Sequence, residues 1–435
     1  MRFLTQLAIA AAASIFGTAV AMPRPLTVTP GNVNDIVITA NNTVNATHRS
    51  DFVLAASTSG LPISLVNNLA GAGVNCYITG LDNNGQLVMV KPDGSFFYPS
   101  ANGATTPQAV TTNIAIPLGG YHSTKTITIP SYISAGRIWF AQGNLQFFVI
   151  QGGNGPVLVE PSAVNPNDPS ANVNWGFVEL TWTQAGGVFA NISYVDFVGL
   201  VLGMKLTNKD GSTQSAPGLQ GSAVTSICNA LQNQQNADGQ PWGDLCVKST
   251  SGQPLRVLNP TDYISIHPGA FSNYWSSYVD QVWSHYSSNT LTINTQAAAG
   301  NVACKVTNNV LNCAGDNRGY AKPSAADIFS CNSGPFGFQS GDNAVHYNVV
   351  PRLCAAFDRS TLLLGGGNTQ PGPAASQYYS VSPTNWYSKI VHQNEIGGTG
   401  YAFSYDDVAP NGGVNAAGTV SSGNPSQLQV TVGGP

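Results

Sequence analysis

From about residue 23 to residue 206 the chain is cut into short apolar or alternating runs, each ended by turn-forming residues. The runs fall at 36–39, 63–67, 76–79, 87–90, 95–98, 114–117, 125–129 and 137–141, then at 145–150, 177–183 and 188–197. Alternation sends every second side chain to one face, the pattern of a half-buried strand. Asn83-Asn84-Gly85 and Asp93-Gly94 supply hairpin turns, because Asn and Gly reach the positive φ that tight hairpins need. Strands recurring roughly every 8–12 residues exclude a helical bundle and predict a mainly β fold, a sandwich or a barrel.

The period then changes. Val224, Ile227, Cys228 and Leu231 recur at helical spacing behind Ser222, and Phe271, Trp275, Tyr278, Val282 and Tyr286 form a second stripe. Aromatic stripes of this kind are usually core. Ser324 and Asp327 resemble a capping box before a short helix, and 348–358 and 384–393 read as helices. Strand character returns at 400–406 and 427–432. The expected organisation is a signal peptide at 1–21, a β-barrel domain made of 22–206 plus 359–435, and an inserted mixed α/β domain at 207–358. A chain of 435 residues fits that count at roughly 150 residues per domain.

Composition narrows the partners. Only 8% of residues are charged and the net charge is −4, so there is no basic surplus to neutralise phosphates and no nucleic acid is expected. With 7 Trp, 16 Tyr and 17 Phe the chain has ample material for a core. Its polar surface must be made of amides and hydroxyls, which suits an extracellular protein that handles sugar. Arg2, the apolar stretch 7–16 and Ala19-Val20-Ala21 form a secretory signal, placing the mature start near Met22 and the protein outside the cell or in the cell wall. That stretch is too short to span a bilayer, and Asp196 and Lys205 interrupt the greasy segment 194–206, so no membrane association is expected. A monomer is expected.

A secreted chain with seven cysteines defaults to disulfides with one thiol left over. Pairing neighbours gives Cys228–Cys246, Cys304–Cys313 and Cys331–Cys354, with Cys76 free and buried in a strand. Asn41, Asn45 and Asn191 each begin a glycosylation sequon.

Glutamates are scarce: Glu160, Glu179 and Glu395 are the whole set. In the run around Glu179, Val178, Leu180 and Trp182 alternate with Phe177, Glu179, Thr181 and Thr183, which puts a carboxylate among hydroxyls on one face. Pairing Thr183 with Val188 across the following turn brings Asp196 to the same face, offset by roughly 13 Å along the strand. Two carboxylates facing a polar cleft are the equipment of glycoside hydrolysis. Inverting enzymes place them roughly 6.5–9.5 Å apart and retaining ones about 5–5.5 Å, so the wider offset favours inversion. A surface Glu and a turn-stabilising Asp would be the ordinary explanation of the pair taken alone. Asp406 and Asp407 add a second acidic site at a strand end; adjacent carboxylates repel, so they are either solvated or functional. There is no Gly-x-Ser-x-Gly elbow, the six His show no metal-ligand spacing, and 152–155 is a glycine turn without a phosphate-loop lysine. Neither a metal nor a cofactor is expected.

Leu158-Val-Glu-Pro161, the segment from Trp175 through Glu179-Leu-Thr181, and Ala190-Asn-Ile-Ser-Tyr-Val-Asp-Phe-Val198 resemble glycoside hydrolase family 64. So do Tyr77-Ile-Thr-Gly-Leu-Asp82, Gly136-Arg-Ile-Trp-Phe140 and Gly400-Tyr-Ala-Phe-Ser-Tyr-Asp-Asp407, and together these motifs cover almost the whole mature chain. The resemblance implies a secreted, inverting β-1,3-glucanase related in fold to thaumatin-like proteins, with a β-barrel domain and a mixed α/β domain flanking an acidic groove. It maps the catalytic pair to Glu179, the general acid, and Asp196, the general base. Thr181, Asp406 and Asp407 would then hydrogen-bond glucose hydroxyls, while Tyr194, Tyr401 and Tyr405 stack on sugar faces. The rival expectation is a non-catalytic thaumatin-like protein of the cell wall that grips β-1,3-glucan without cutting it. A structural coat protein has little support from the acidic strand face.

Overall fold

The computed structural model describes residues 25–46, 60–71, 73–413 and 416–434; the expected signal peptide at 1–21 lies outside the described residues. Two β-sheets pack face to face. The smaller has five strands in the order Thr213–Ala216, Leu202–Asn208, Pro425–Val432, Leu61–Asn67 and Ser123–Ile129. The larger runs Thr419–Ser422, Gly187–Ile192, Asn174–Thr183, Ile133–Gln142, Val74–Leu81, Leu87–Val90 and Phe96–Phe97, with Ile116–Pro117 paired beside Val74–Leu81. The alternation read from the sequence explains the contact: Val178, Leu180 and Trp182 turn into the sandwich against residues such as Leu65, Met204 and Val430. The opposite face of the large sheet carries Tyr77, Trp139, Trp175 and Phe177, covered by a four-stranded sheet of Thr43–Asn45, Gly155–Val159, Phe148–Gly152 and Gln108–Ala109. That cover stops short of Glu179 and Thr181, and there the sheet opens to solvent.

The expected barrel is not closed. At the corner where the two sheets approach, the side-chain amide of Gln214 donates to Ser421 O at 2.6 Å and accepts from the Ser421 N–H at 3.0 Å. A side chain thus takes the outward backbone groups of Ser421, and among the described residues no backbone ladder crosses from one sheet to the other. The architecture is a sandwich.

Helices Ala223–Asp238, Ala325–Ser330, Ala344–Asp358 and Trp386–Asn394 form where the sequence placed them, with the capping box of Ser324 and Asp327 made, whereas the second stripe is helical only over Ser276–Ser288, since Phe271 sits at φ +58° in the turn before it. Their apolar faces, including Ile227, Tyr286 and Phe357, join the sandwich core in one continuous cluster. The three disulfides pair as neighbours, and Cys76 is free and buried. Among the described residues no helix is long and apolar enough to cross a membrane.

Three segments depart from expectation. Residues 36–39 are not a strand. Asn32 and Asp35 form a capping box that curls 33–35 into a 3₁₀ turn, and after the single bridge of Thr27 to Lys248 the first strand is Thr43–Asn45. The run 400–406 is a turn, because Asp406 Oδ2 accepts the N–H groups of Ala402 and Phe403 and folds the chain back. The strand expected over 188–197 ends at Ile192 and resumes only as Phe197–Val198, in a different sheet.

Candidate functional site

The large sheet presents Asn191, Glu179 and Arg137 as direct neighbours on three adjacent strands, since Glu179 pairs with Asn191 on one side and Arg137 on the other. This register is one residue from that expected: Thr183 pairs with Gly187, and Gly187 sits at φ +67°, where a side chain is strained. Its consequence is chemical. Asn191 Nδ2 donates to Glu179 Oε2 at 3.0 Å, while Arg137 Nη2 stands 3.7 Å from Glu179 Oε1. Beside Arg137 the ladder slips between Leu180 and Trp182, and Ala135 takes a positive φ of 44°, the local kink of a β-bulge that re-aims the neighbouring side chains.

Arg137 is the hub. Its Nη1 is ion-paired with Glu160, whose side chain is buried, and its guanidinium lies over the Phe177 ring at 4.3 Å. Burial pushes the Glu160 carboxyl up and Arg137 opposes it. Burial likewise raises Asp196, with Arg137 lowering it and Glu179 raising it again, so the three acids and one guanidinium act on one another.

Asp196 reaches the cluster because the chain leaves the sheet after Ile192. Ser193 makes a single bridge to Tyr401, and the Tyr194 N–H donates to Tyr401 O at 2.7 Å. Asn259 then holds the departing segment: its N–H donates to Asp196 O at 2.9 Å and its Nδ2 donates to Val195 O. The same side chain accepts the Asp262 N–H at 2.7 Å and caps helix Pro260–Ile266, so Asp262 is locked to the Asp196 segment.

Two openings meet at Arg137. One, of about 310 Å³, is lined by Glu179, Thr181, Phe189, Asn191 and Val44. The other, of about 190 Å³, is lined by Asp196, Asp262, Asn41, Trp175 and Phe177 among others. The expected residues divide accordingly. Glu179 and Thr181 line the larger opening and Asp196 the smaller, with Arg137 lining both. Tyr401 is half-buried and lines neither opening; burial, then Asp407, Asp406 and Glu179, push its phenol up to about 12. Tyr405 is half-buried against the core and Asp407 is exposed. Two expectations are corrected. Tyr194 is 4% exposed within the sandwich core and presents no ring face to a sugar. Asp406 is 1% exposed, with Oδ1 taken by Arg359 and Oδ2 by His392 and two backbone N–H groups, so it anchors the 400–407 turn instead of binding glucose.

Residues the sequence reading passed over complete the site. Phe189, 45% exposed, shares the groove face with Glu179 and would have been found with the correct register. Asp262 was signalled by Asn259-Pro260, an N-cap followed by proline at the first helical position. Burial, then Asp196, push its carboxyl up to about 8.

The family model of glycoside hydrolase 64, described as β-1,3-glucanase, matches residues 59–432. A glucan endo-1,3-β-glucosidase of Cellulosimicrobium cellulans is 25% identical over 361 residues, 81% of this chain and 62% of that protein. One from Arthrobacter sp. (strain YCWD3) matches to the same extent, so the chain spans 62% of the length of both relatives. Among solved structures, a laminaripentaose-producing β-1,3-glucanase in complex with laminaritetraose superposes with a TM-score of 0.74 at 25% identity, covering 86% of this chain and 99% of that one. A family 64 β-1,3-glucanase domain from Clostridium beijerinckii shares the fold at a TM-score of 0.63 and 20% identity, covering 87% and 100%. With residues 59–432, the Glu179 strand among them, matched by the family model, the chain belongs to glycoside hydrolase family 64, the β-1,3-glucanases.

Proposed function

We propose that the protein is a secreted, inverting glycoside hydrolase that cleaves β-1,3-glucan to short laminarioligosaccharides. The observation that carries this reading is the pair Glu179 and Asp196, brought to one groove on either side of Arg137 in a chain of this family. Glu179 is the general acid. Its side chain is 40% exposed in the open groove, and a sugar ring laid over it displaces water and brings the glycosidic oxygen to the carboxyl. Arg137 commits one arm to Glu160 and leaves the looser contact to Glu179. Asp196 is the general base, activating water on the opposite face of the sugar, with Arg137 offsetting the burial that disfavours its charge. Thr181 and Asn191 offer hydroxyl and amide partners to the glucan, and Phe189 offers a stacking face. Release of reducing sugar from laminarin tests the proposal; a glucan-binding cell-wall protein without activity would bind laminarin and leave it uncut.

One observation favours the reverse division of labour: Asp196 is the acid that burial raises, while Glu179 faces a guanidinium and an amide donor. A 2,4-dinitrophenyl β-laminaribioside separates the two, because its strongly acidic phenol departs as the anion without protonation. The variant lacking the acid keeps activity on it, and the variant lacking the base does not.

A further inference from the structure

The family match begins at residue 59, yet part of the groove wall is built before it. Thr43–Asn45 pairs with Gly155–Val159, and Val28 is 2% exposed in the core beneath. The Glu160 N–H donates to Asn42 O at 2.9 Å, so this strap is fixed to the residue that holds Arg137. Thr39 and Asn41 of the strap line the smaller cavity together with Asp196, Asp262, Trp175 and Phe177. At about 190 Å³ it lies below the roughly 300–1,000 Å³ of pockets that enclose drug-sized ligands, so it admits a single sugar ring and not a chain.

Its chemistry suits hydroxyls. Asn41 contributes an amide, which both donates and accepts. Asp262 is 7% exposed, its side-chain partner is Asn41 Nδ2 at a long 3.4 Å, and the charged group that acts on it is another acid, Asp196. An isolated buried carboxyl facing a second one holds its proton and so offers a donor as well as an acceptor. Trp175 and Phe177 floor the cavity but are only 2% and 7% exposed, so its contacts to a sugar are the polar ones.

We propose that residues 25–46 close the groove beside Asp196 into a pocket for one β-glucosyl unit, the end of a glucan chain or a one-residue branch, with Asn41 and Asp262 as its hydroxyl contacts. The inference rests on the glucanase reading for the identity of the sugar. It is tested with protein from a host that adds no N-glycans, since Asn41 begins a sequon. Methyl β-glucoside is titrated by NMR into the wild type, into Ala163→Trp, which fills the cavity, and into Asn41→Ala, each checked for folding by circular dichroism. Products from laminarihexaose, linear and carrying a single β-1,6-glucosyl branch, are then compared.

The wild type is expected to bind the glucoside and to cut at one fixed distance from the bound unit. Ala163→Trp should lose binding at least tenfold and give a spread of products. Tighter use of the branched hexaose identifies the unit as a branch, and of the linear one as a chain end. A wild type that ignores the glucoside, or folded variants that bind and cut as it does, would overturn the pocket. Glucoside binding that Ala163→Trp abolishes, in a protein that cuts no glucan, would instead uphold the pocket and remove the hydrolase reading.

Discussion

Arg137 and Glu179 are cross-strand partners, and the guanidinium stands 3.7 Å from the Glu179 carboxylate while its other arm is held by buried Glu160. The arrangement ties the candidate acid to the rigid centre of the sheet, where a displacement costs ladder hydrogen bonds. Replacing Glu179 by Gln preserves the acceptor for Asn191 but removes the deliverable proton. Turnover of laminarin should fall roughly 10²–10⁴-fold, with glucan binding retained in a pull-down on insoluble β-1,3-glucan. Near-normal turnover in the folded variant removes Glu179 from the chemistry.

Arg137→Ala leaves the Glu160 carboxylate, with 1% side-chain exposure, without its ion-pair partner. Removing one partner of a buried pair costs about 3–5 kcal/mol, so the urea midpoint should drop substantially. The double variant Arg137→Met/Glu160→Gln, which removes both charges, should recover much of that loss. Equal destabilisation of the two proteins would show that the pair is not what holds this corner.

Phe189 projects into the groove from the strand beside Glu179. If it stacks on a glucosyl ring, Phe189→Ala gives up about 0.5–1.5 kcal/mol of contact, a rise in KM for laminarin of roughly 2- to 12-fold. The kcat should hold within about twofold, because the contact is equal in ground and transition states. A loss confined to kcat would assign Phe189 a different role.

The contrast between Phe189 and Tyr194 shows where sequence legibility ended. Strands, helices, disulfides and the Glu179 face were readable because each follows from local period, capping or proximity of cysteines. Register was not. The turn after Thr183 ends at Gly187 with positive φ, and the one-residue difference moved Phe189 and Asn191 onto the Glu179 face. Asp196 reached the groove by a route alternation does not encode, a departure from the sheet held by Asn259 more than sixty residues away. Tyr194 and Asp406 looked like sugar ligands, but tertiary packing buries both, one in the sandwich core and one between Arg359 and His392.

His392 bridges Glu395 at 2.8 Å and Asp406 at 3.2 Å. Burial disfavours its charge, but Asp406 and Glu395 outweigh burial and push the imidazole up to about 10. Its folded value lies above the unfolded one of about 6.5. The stabilisation is therefore complete below pH about 6.5 and is lost as pH rises through about 10. Calorimetry should show the wild-type Tm falling between pH 7 and 10. His392→Gln should melt lower than wild type at pH 6 and change much less across that window. Parallel curves for the two proteins would mean that His392 is neutral in the fold.

Cleavage of β-1,3-glucan by Glu179 and Asp196 in a single inverting displacement would fix the anomer of each new reducing end. A ¹H NMR time course of laminarin with fresh enzyme reads both parts at once, before mutarotation mixes the anomers. Inverting cleavage gives the α-anomeric signal of the new reducing ends first, and Asp196→Asn should give neither anomer at a comparable rate. A β-anomer appearing first, or bound laminarin that yields no reducing end, would contradict it.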